Sequence, residues 1–562
     1  MFDLAHESFA KHGDSFFLEE SGGVLVVSEA LWESERDDVK KKRQFLYEQR
    51  QEVLEVAKQR VLEEPKRKNL ARHEDSEANE EELSELVTQL QIPDSFSLTQ
   101  NLPNEAILLT EKTTVTLSKI AISVKLFLVL LEKTRVTVGE RFSITKHASN
   151  EDCIRENNMA RKTPFCLERR GAVSNLALEN IERMPPNSIG CVLEEVMLVN
   201  TGLINILPKL RIHEDSEIEW LELSADEEEH VAAILTKDQP IYIRRVKKME
   251  LWDYAVGILP KLRVHEGSEV EWLKLSASKK EHVAAILTKD QTFCVGRVKN
   301  MWLWSYAVGI LPKLRVHEGS EVEWLKLSAS KKEHVAAILT KDQTFCVGRV
   351  KNMWLWSYAA GVITKIKIHE NCEVEKLSLY TNEEEHVAPI FTKDQPFCIG
   401  RVKGIRLREY AVRVVTKTGV NENNGVEELS LSASKEEHVA ITLAKDQSIY
   451  VGRVKKLELR YYAVIILPAF RIHKDNTMEE FVLVGRGEHL YKILWRRDNS
   501  IELGRIRKSG FRVQKETRQK LRYTLVDGEG NEVLEENIFF RNKAAVMLVL
   551  FLVICFSSYL RL

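Results

Sequence analysis

The chain has 562 residues, of which 44% are apolar, and its formal net charge at neutral pH is −2. A net charge so close to zero supplies no basic field, so we expect no nucleic-acid partner. Eight cysteines without a CxxC pair favour reduced, buried thiols over a disulfide scaffold.

The first part of the chain is predicted to lie outside any repeat. Residues 1–32 form an N-terminal segment without the apolar core of a secretory signal. Residues 33–64 are dense in Lys, Arg, Glu and Gln, with apolar residues at helical spacing, which predicts a long amphipathic helix. Residues 65–110 begin with a proline and contain an acidic run, and we predict a linker there.

The central part of the chain repeats with a period of 52 residues. Residues 258–309 and 310–361 are identical except that Val308 corresponds to Ala360. One histidine recurs at this spacing, at His230, His282, His334, His386 and His438. Consecutive copies of one unit predict a stacked array rather than a globule built around one active site.

Each 52-residue unit divides into half-repeats of 28 and 24 residues. The first opens Val270-Glu-Trp-Leu-Lys-Leu275 and the second opens Val298-Lys-Asn-Met-Trp-Leu303. This alternation predicts half-buried strands. After the first strand, Ser278 and Glu281 match a capping box before an apolar helix face. We therefore predict a strand and a short helix in each half-repeat; an all-β repeat without helices is the alternative.

The frame of these half-repeats resembles that of leucine-rich-repeat proteins. We find it over about residues 115–485, with further strands predicted at Leu117–Ile122, Val173–Leu178, Leu193–Leu198 and Met478–Leu483. The resemblance implies an α/β solenoid, a horseshoe with a parallel sheet on its concave side. The asparagine that satisfies the turn after the strand in that family is replaced by Ser278 or Tyr306. These turns must therefore find other hydrogen-bond partners.

Eight of the ten tryptophans fall at strand positions that would point out of the concave face. Aromatic residues beside arginine are typical of binding surfaces. The candidate partner-binding residues are Trp220, Trp252, Trp272, Trp302, Trp304, Trp324, Trp354, Trp356, Arg406, Arg408 and Tyr461. Two alternatives stay open: duplication copies tryptophans whether or not they function, and a register shift of one residue would bury them.

The chain carries no motif that predicts catalysis or metal binding. The nearest pair of repeat histidines, His265 and His282, is 17 residues apart, which is too far for a local zinc motif. No nucleophile elbow, phosphate-binding loop or dinucleotide fingerprint occurs. We expect no enzymatic activity, no metal and no cofactor.

The C-terminal part loses the repeat frame. Residues 486–540 are predicted to cap the array, with a strand at Leu521–Val526 before a turn at Asp527. Residues 544–560 contain no charged side chain, which predicts a transmembrane helix at the short limit of length. We expect a tail anchor, with the array in the cytosol and the endoplasmic reticulum as the favoured membrane.

These patterns together predict a non-enzymatic, membrane-anchored leucine-rich-repeat protein that binds a protein partner through its aromatic concave face. The alternative is a receptor that binds glycans on its tryptophans, which would require the array to face the lumen or the exterior. In that case the aromatic rings would act as stacking platforms for sugar rings.

Overall fold

The computed structural model describes residues 8–20, 22–34, 91–146, 151–156, 163–317, 319–368, 372–392, 401–418, 426–440 and 448–533. Of the predicted helix 33–64 it describes only residues 33 and 34, which end a helix at Glu29–Ser34. The predicted transmembrane segment 544–560 lies outside the described residues. Two compact units divide the chain, Met1–Val322 and Glu323–Leu562.

The first unit begins with three small sheets. An antiparallel sheet contains Ala10–His12, Ser15–Glu20, Gly23–Ser28 and Ile107–Thr110. A parallel sheet contains Ser95–Leu98, Thr114–Leu117 and Arg135–Val138. The third, which we call the five-stranded sheet, has the order Ile154–Glu156, Ile120–Ser123, Phe142–Thr145, Ile189–Cys191 and Leu210–Ile212. The described end of the predicted linker 65–110 thus contributes strands to two of these sheets.

Each unit contains a long run of parallel strands, which we call its main sheet. In the first unit the strands are Phe165–Arg170, Leu193–Val199, Glu217–Ala225, Ile241–Asp253, Glu269–Ala277 and Phe293–Ser305. In the second unit they are Glu321–Ala329, Arg349–Ser357, Glu373–Thr381, Arg401–Glu409, Glu428–Ala433, Lys456–Tyr461, Glu480–Val484 and Phe511–Arg512. Glu321–Ala329 begins two residues before the unit boundary.

Short strands form further parallel sheets beside the main ones. In the first unit, Leu262–Val264 pairs with the start of Ile241–Asp253, and Leu314–Val316 pairs with the start of Phe293–Ser305. In the second unit the pairs and triplet are Phe345–Cys346 with Ile366–Lys367, Ile449–Gly452 with Phe470–Ile472, and Thr477–Met478 with Ile501–Arg507 and Leu521–Val526. The predicted strand at Leu521–Val526 is confirmed.

Helical segments connect the strands. The α-helices after the first one are Val124–Lys133, Asn175–Arg183, Ala232–Thr236, Ala284–Leu287, Glu333–Leu339, Ala388–Phe391, Gly487–Leu494 and Lys515–Arg518. The 3-10 helices are Gly202–Lys209, Glu228–His230, Tyr254–Lys261, Glu281–Val283, Tyr306–Lys313, Tyr358–Thr364, Glu384–His386, Tyr410–Lys417, Glu436–His438, Tyr462–Ala469 and Lys508–Gly510.

One turn of the repeat has three sides around a common core. In the first unit, the main sheet buries Leu273 and Leu275, and the helical side buries Val283 and Ile286. The short strand Leu314–Val316 closes the third side. The predicted α/β repeat with a parallel sheet is therefore confirmed, and so is the strand register. The third side was not predicted.

Three local predictions are wrong, one of them only in part. Val173–Leu178 is not a strand: Ser174 accepts a hydrogen bond from the Ala177 N–H and caps a helix, and Phe165–Arg170 is the strand instead. Leu117–Ile122 contains a corner between two sheets, with Lys119 at φ 58°, and only Ile120–Ser123 is a strand of the five-stranded sheet. The capping box at Ser278 does not form, because its side chain bonds to a residue of the preceding strand, as described below.

Within the described ranges, no helix has both the length and the apolar character that crossing a bilayer requires.

Candidate partner-binding surface

The main sheet of the first unit carries tryptophans on the face opposite the core. Leu273, Leu275, Met301 and Leu303 point into the core and are buried. The alternating positions carry the first aromatic surface, which consists of Trp220, Trp252, Trp272, Trp302 and Trp304. All five are half-buried. The alternative register, in which the tryptophans would occupy the core, is therefore wrong.

The rings of the first aromatic surface pack against one another. Trp272 and Trp302 meet edge to face, with ring centroids 4.8 Å apart. Trp252 and Trp304 stack at 5.9 Å because only the small Ser276 stands on the strand between them. Such pairs contribute about 0.5–1.5 kcal/mol each beyond simple burial. The surface is therefore held in shape before any partner arrives.

Acidic side chains lie beside the first aromatic surface. Glu222 and Glu250 are cross-strand neighbours, and burial followed by the charge of Glu250 raises the pKa of Glu222. Lys274 pairs with Glu250 at 2.6 Å, and its Nζ lies 5.4 Å from the Trp302 ring centroid. This lysine charge is therefore largely compensated within the surface, and the exposed Lys248 stands between Trp220 and Trp272.

The second unit carries a related arrangement, the second aromatic surface, made of Trp324, Trp354, Trp356, Tyr380, Arg406 and Arg408. Trp356, Tyr380 and Arg408 are register partners on three neighbouring strands. Trp356 is 45% exposed and Tyr380 is 41% exposed, whereas the other predicted tryptophans are half-buried. Three large side chains of binding type thus stand side by side in contact with solvent.

The tryptophans of the second aromatic surface are also prearranged. Trp324 and Trp354 meet nearly perpendicular at 5.3 Å, and Trp354 and Trp356 lie nearly parallel at 6.3 Å. The Lys326 Nζ lies 4.7 Å from the Trp354 centroid. Burial lowers the pKa of Lys326, and the ring face offers its ammonium group a compensating contact.

Basic side chains dominate beside the exposed row. Ser378 is the register partner of both Trp354 and Arg406, so Arg406 lies two strands from Trp354. Burial, with the charges of Arg406 and then Arg408, lowers the pKa of Lys376. Burial is the largest cause of this shift, the two arginines add to it, and the charge of Glu428 opposes it.

Tyr461, a predicted site residue, lies apart from these rows. It ends a strand at φ 55° and precedes a 3-10 helix, at the register position of the buried Ala433. Tyr380 follows from the same period-two alternation along Glu373–Thr381 and lies beside Trp356.

A histidine, a serine and an acidic residue meet at the strand end Asp253, and they do not form a catalytic arrangement. The Ser278 N–H and Oγ–H both donate to Asp253 Oδ1, at 3.0 and 2.7 Å. The His282 Nδ1–H donates to the same oxygen at 2.8 Å. A nucleophilic triad needs the imidazole between the hydroxyl and the carboxylate. Here the Asp253 carboxylate lies between the hydroxyl and the imidazole, and His282 is buried. The cluster therefore stabilises the turn that follows strand Glu269–Ala277.

The same arrangement recurs in the second unit, where Ser434 and His438 both contact Glu409. At these two turns, an acidic residue that ends the neighbouring main-sheet strand accepts the hydrogen bonds of the serine.

Within the part of the chain that the structure describes, no three His, Cys, Asp or Glu side chains converge in a way that could hold a metal ion. No protein-family model, no curated protein and no solved structure matches this chain.

Proposed function

We propose that this chain is a non-enzymatic binding protein and that its second aromatic surface contacts a protein partner. The observation that carries the proposal is the exposed row of Trp356, Tyr380 and Arg408. Tryptophan, tyrosine and arginine are enriched among the few residues that dominate binding at protein interfaces, and the aromatic side chains bury large areas. The indole rings of Trp324, Trp354 and Trp356 already pack against one another. Binding therefore restricts fewer side-chain rotations, and its entropic cost is smaller.

The charges beside the row support an acidic partner segment. Arg406 and Arg408 can each pair with a carboxylate in a two-pronged geometry, and Lys376 adds to the positive potential. The first aromatic surface carries a copy of the same tryptophan pair beside Glu222 and Glu250. We therefore propose that the two surfaces differ in the charge of the partner they accept.

A photo-crosslinking experiment tests the contact. A photoreactive amino acid replaces Tyr380 in the full chain, and cell extract is irradiated with it. We expect one acidic protein to be crosslinked at position 380. The matched control places the same amino acid at Trp495, which is 89% exposed but lies outside the main sheet. Equal crosslinking at both positions would count against the proposal.

Capture by substituted chains tests which tryptophans matter. We expect Trp354→Ala with Trp356→Ala to reduce capture of the crosslinked partner at least tenfold, while Trp495→Ala leaves it unchanged. Trp302→Ala with Trp304→Ala should have the smaller effect on an acidic partner. Wild-type capture by a chain with all four substitutions, together with an unchanged circular dichroism spectrum, would refute the function proposed for these surfaces.

A further inference from the structure

A cavity of about 380 Å³ lies against the five-stranded sheet of the first unit. One residue from each strand faces it in a continuous register row, in the order Arg155, Ala121, Ser143, Gly190 and Arg211. The volume falls in the lower range of small-molecule sites. None of these residues belongs to the aromatic surfaces.

The row has a floor of small residues between two arginines. Ala121, Ser143 and Gly190 keep the centre open, and the backbones that carry Arg155 and Arg211 are four strand spacings, or roughly 19 Å, apart. Arginine side chains that reach inward from both edges leave room for a small molecule between them. Arg244 also lines the cavity, with its Nε fixed by donation to the Ile212 carbonyl at 3.2 Å.

The Arg211 side chain lies over the neighbouring strand at Gly190. Its Nη2 is 3.5 Å from the point that a Cβ on residue 190 would occupy. Among the described residues, no hydrogen bond or ion pair holds this guanidinium. Arg263 occupies the corresponding position one repeat later, and its Nη1 donates to the Pro260 carbonyl at 2.6 Å.

The charges of the cavity favour an anion. Three arginines line it, against the exposed Glu156 and Glu214. Arg155 shares its charge with Glu151 at 2.8 Å, whereas among the described residues no ion pair holds Arg211 or Arg244. Guanidinium groups recognise carboxylates and phosphates through paired N–H donors.

We propose that this cavity binds a small anion that carries at least two carboxylate or phosphate groups. One group pairs with Arg211, and another reaches Arg155 or Arg244. The open floor at Ala121, Ser143 and Gly190 accommodates the body of the ligand.

Calorimetric titration of the full chain at low ionic strength tests the site, with citrate and inorganic pyrophosphate as separate probes. We expect at least one of them to bind, and the one that binds more tightly identifies the chemical class. Arg211→Gln should weaken binding at least tenfold. The matched control is Arg263→Gln, which removes the same charge at the corresponding repeat position and should leave the affinity unchanged.

Gly190→Ala tests the geometry without a change in charge. The added methyl group would approach Ser143 Cβ to 3.3 Å and would fill part of the floor beside the Arg211 guanidinium, so we expect the affinity to fall severalfold. The proposal is overturned if neither anion binds, if Arg211→Gln and Gly190→Ala both bind as wild type does, or if Arg263→Gln weakens binding as much as Arg211→Gln.

Discussion

One backbone position in each repeat adopts a conformation that side chains disfavour. Asp253, Ser305, Ser357, Glu409 and Tyr461 are 52 residues apart and have φ between 53° and 58°. Each ends a main-sheet strand and begins a 3-10 helix, so the chain must turn sharply there. A non-glycine residue in such a region costs about 1–3 kcal/mol. At Asp253 and Glu409 the side chain offsets this cost by bonding to the next turn.

Ser357→Gly should stabilise the second unit. Glycine relieves the strain at φ 53° but also increases the entropy of the unfolded chain, so we expect a net gain of about 1 kcal/mol in the free energy of unfolding. Chemical denaturation measures this gain. The comparison is Asp253→Gly, which relieves similar strain but removes the acceptor of Ser278 and His282 and should therefore destabilise. Destabilisation by Ser357→Gly would contradict the strain argument.

At the level of the elements, the helical side contains a row of buried histidines. His282, His334, His386 and His438 are each at most 4% exposed. Three of them pack on a tyrosine ring from the preceding 3-10 helix, with centroids 4.3–4.5 Å apart. Gly257 lets this side close, because a Cβ there would approach the His282 carbonyl to 3.3 Å. The recurring histidine is thus a core residue.

These histidines should make stability depend on pH. Burial lowers the pKa of all four below the ordinary 6.5, so the folded chain holds them neutral while the unfolded chain takes up protons near pH 6.5. The free energy of unfolding is therefore greatest above pH 6.5 and decreases as the pH falls from there through the lowered values.

Thermal unfolding between pH 7.5 and 5.0 measures this dependence. We expect the melting temperature to fall across that interval, and to fall less in a chain with His334→Gln and His386→Gln. His265→Gln replaces an exposed histidine and should leave the dependence unchanged. A melting temperature that stays constant from pH 7.5 to 5.0 would show that the buried imidazoles do not control stability.

Lysines of the 3-10 helices fasten the ends of neighbouring helices. The Lys261 Nζ donates to the carbonyls of Ile234, Leu235 and Lys237, at the end of helix Ala232–Thr236. Lys261→Met leaves these buried acceptors unpaired, and we expect it to cost about 1–3 kcal/mol in chemical denaturation. Lys313→Met removes one donated bond, to the Lys289 carbonyl, and should cost less. Equal costs would contradict this account.

The sequence predicts those features that depend on neighbours along the chain. Leu273 and Leu275 alternate with polar or outer residues, so local spacing was enough to place them in the core. Ser278 was misassigned because its acceptor, Asp253, is 25 residues earlier. The pairing of Phe293 with Leu314 leaves no periodic signal, and the third side was missed for that reason. The arginine row across the five-stranded sheet likewise depends on pairing between distant segments.

The repeat array and the predicted membrane anchor lie in separate segments of the chain. The solenoid architecture lies within the described residues, and the apolar stretch 544–560 lies outside them. The two are therefore testable independently. The side of the membrane on which the array lies distinguishes the two proposed partners. A protein partner in the cytosol requires a cytosolic array, and the glycan alternative requires an array in the lumen or at the exterior.

Charged substitutions test the membrane proposal. We expect Val549→Lys with Leu552→Lys to release the full chain from carbonate-washed membranes, because a lysine at mid-bilayer costs about 2.5–3.5 kcal/mol. Val549→Ile with Leu552→Ile is the control and should stay bound. Protease added outside sealed vesicles should digest residues 163–533 if the array is cytosolic. Protection of these residues would favour the glycan alternative, and release of neither variant would exclude this segment as the anchor.

The pairing of each strand mainly with the strands before and after it has a mechanical consequence. From Glu217–Ala225 to Phe293–Ser305, each main-sheet strand is held to the next by a parallel ladder. A force that pulls residues 258 and 309 apart would therefore break the ladders one after another, so that the strands detach singly and the sheet does not rupture in one step. Full extension of one 52-residue repeat would release about 180 Å of contour length. Such a chain can yield under tension in steps and re-form from the coils that remain.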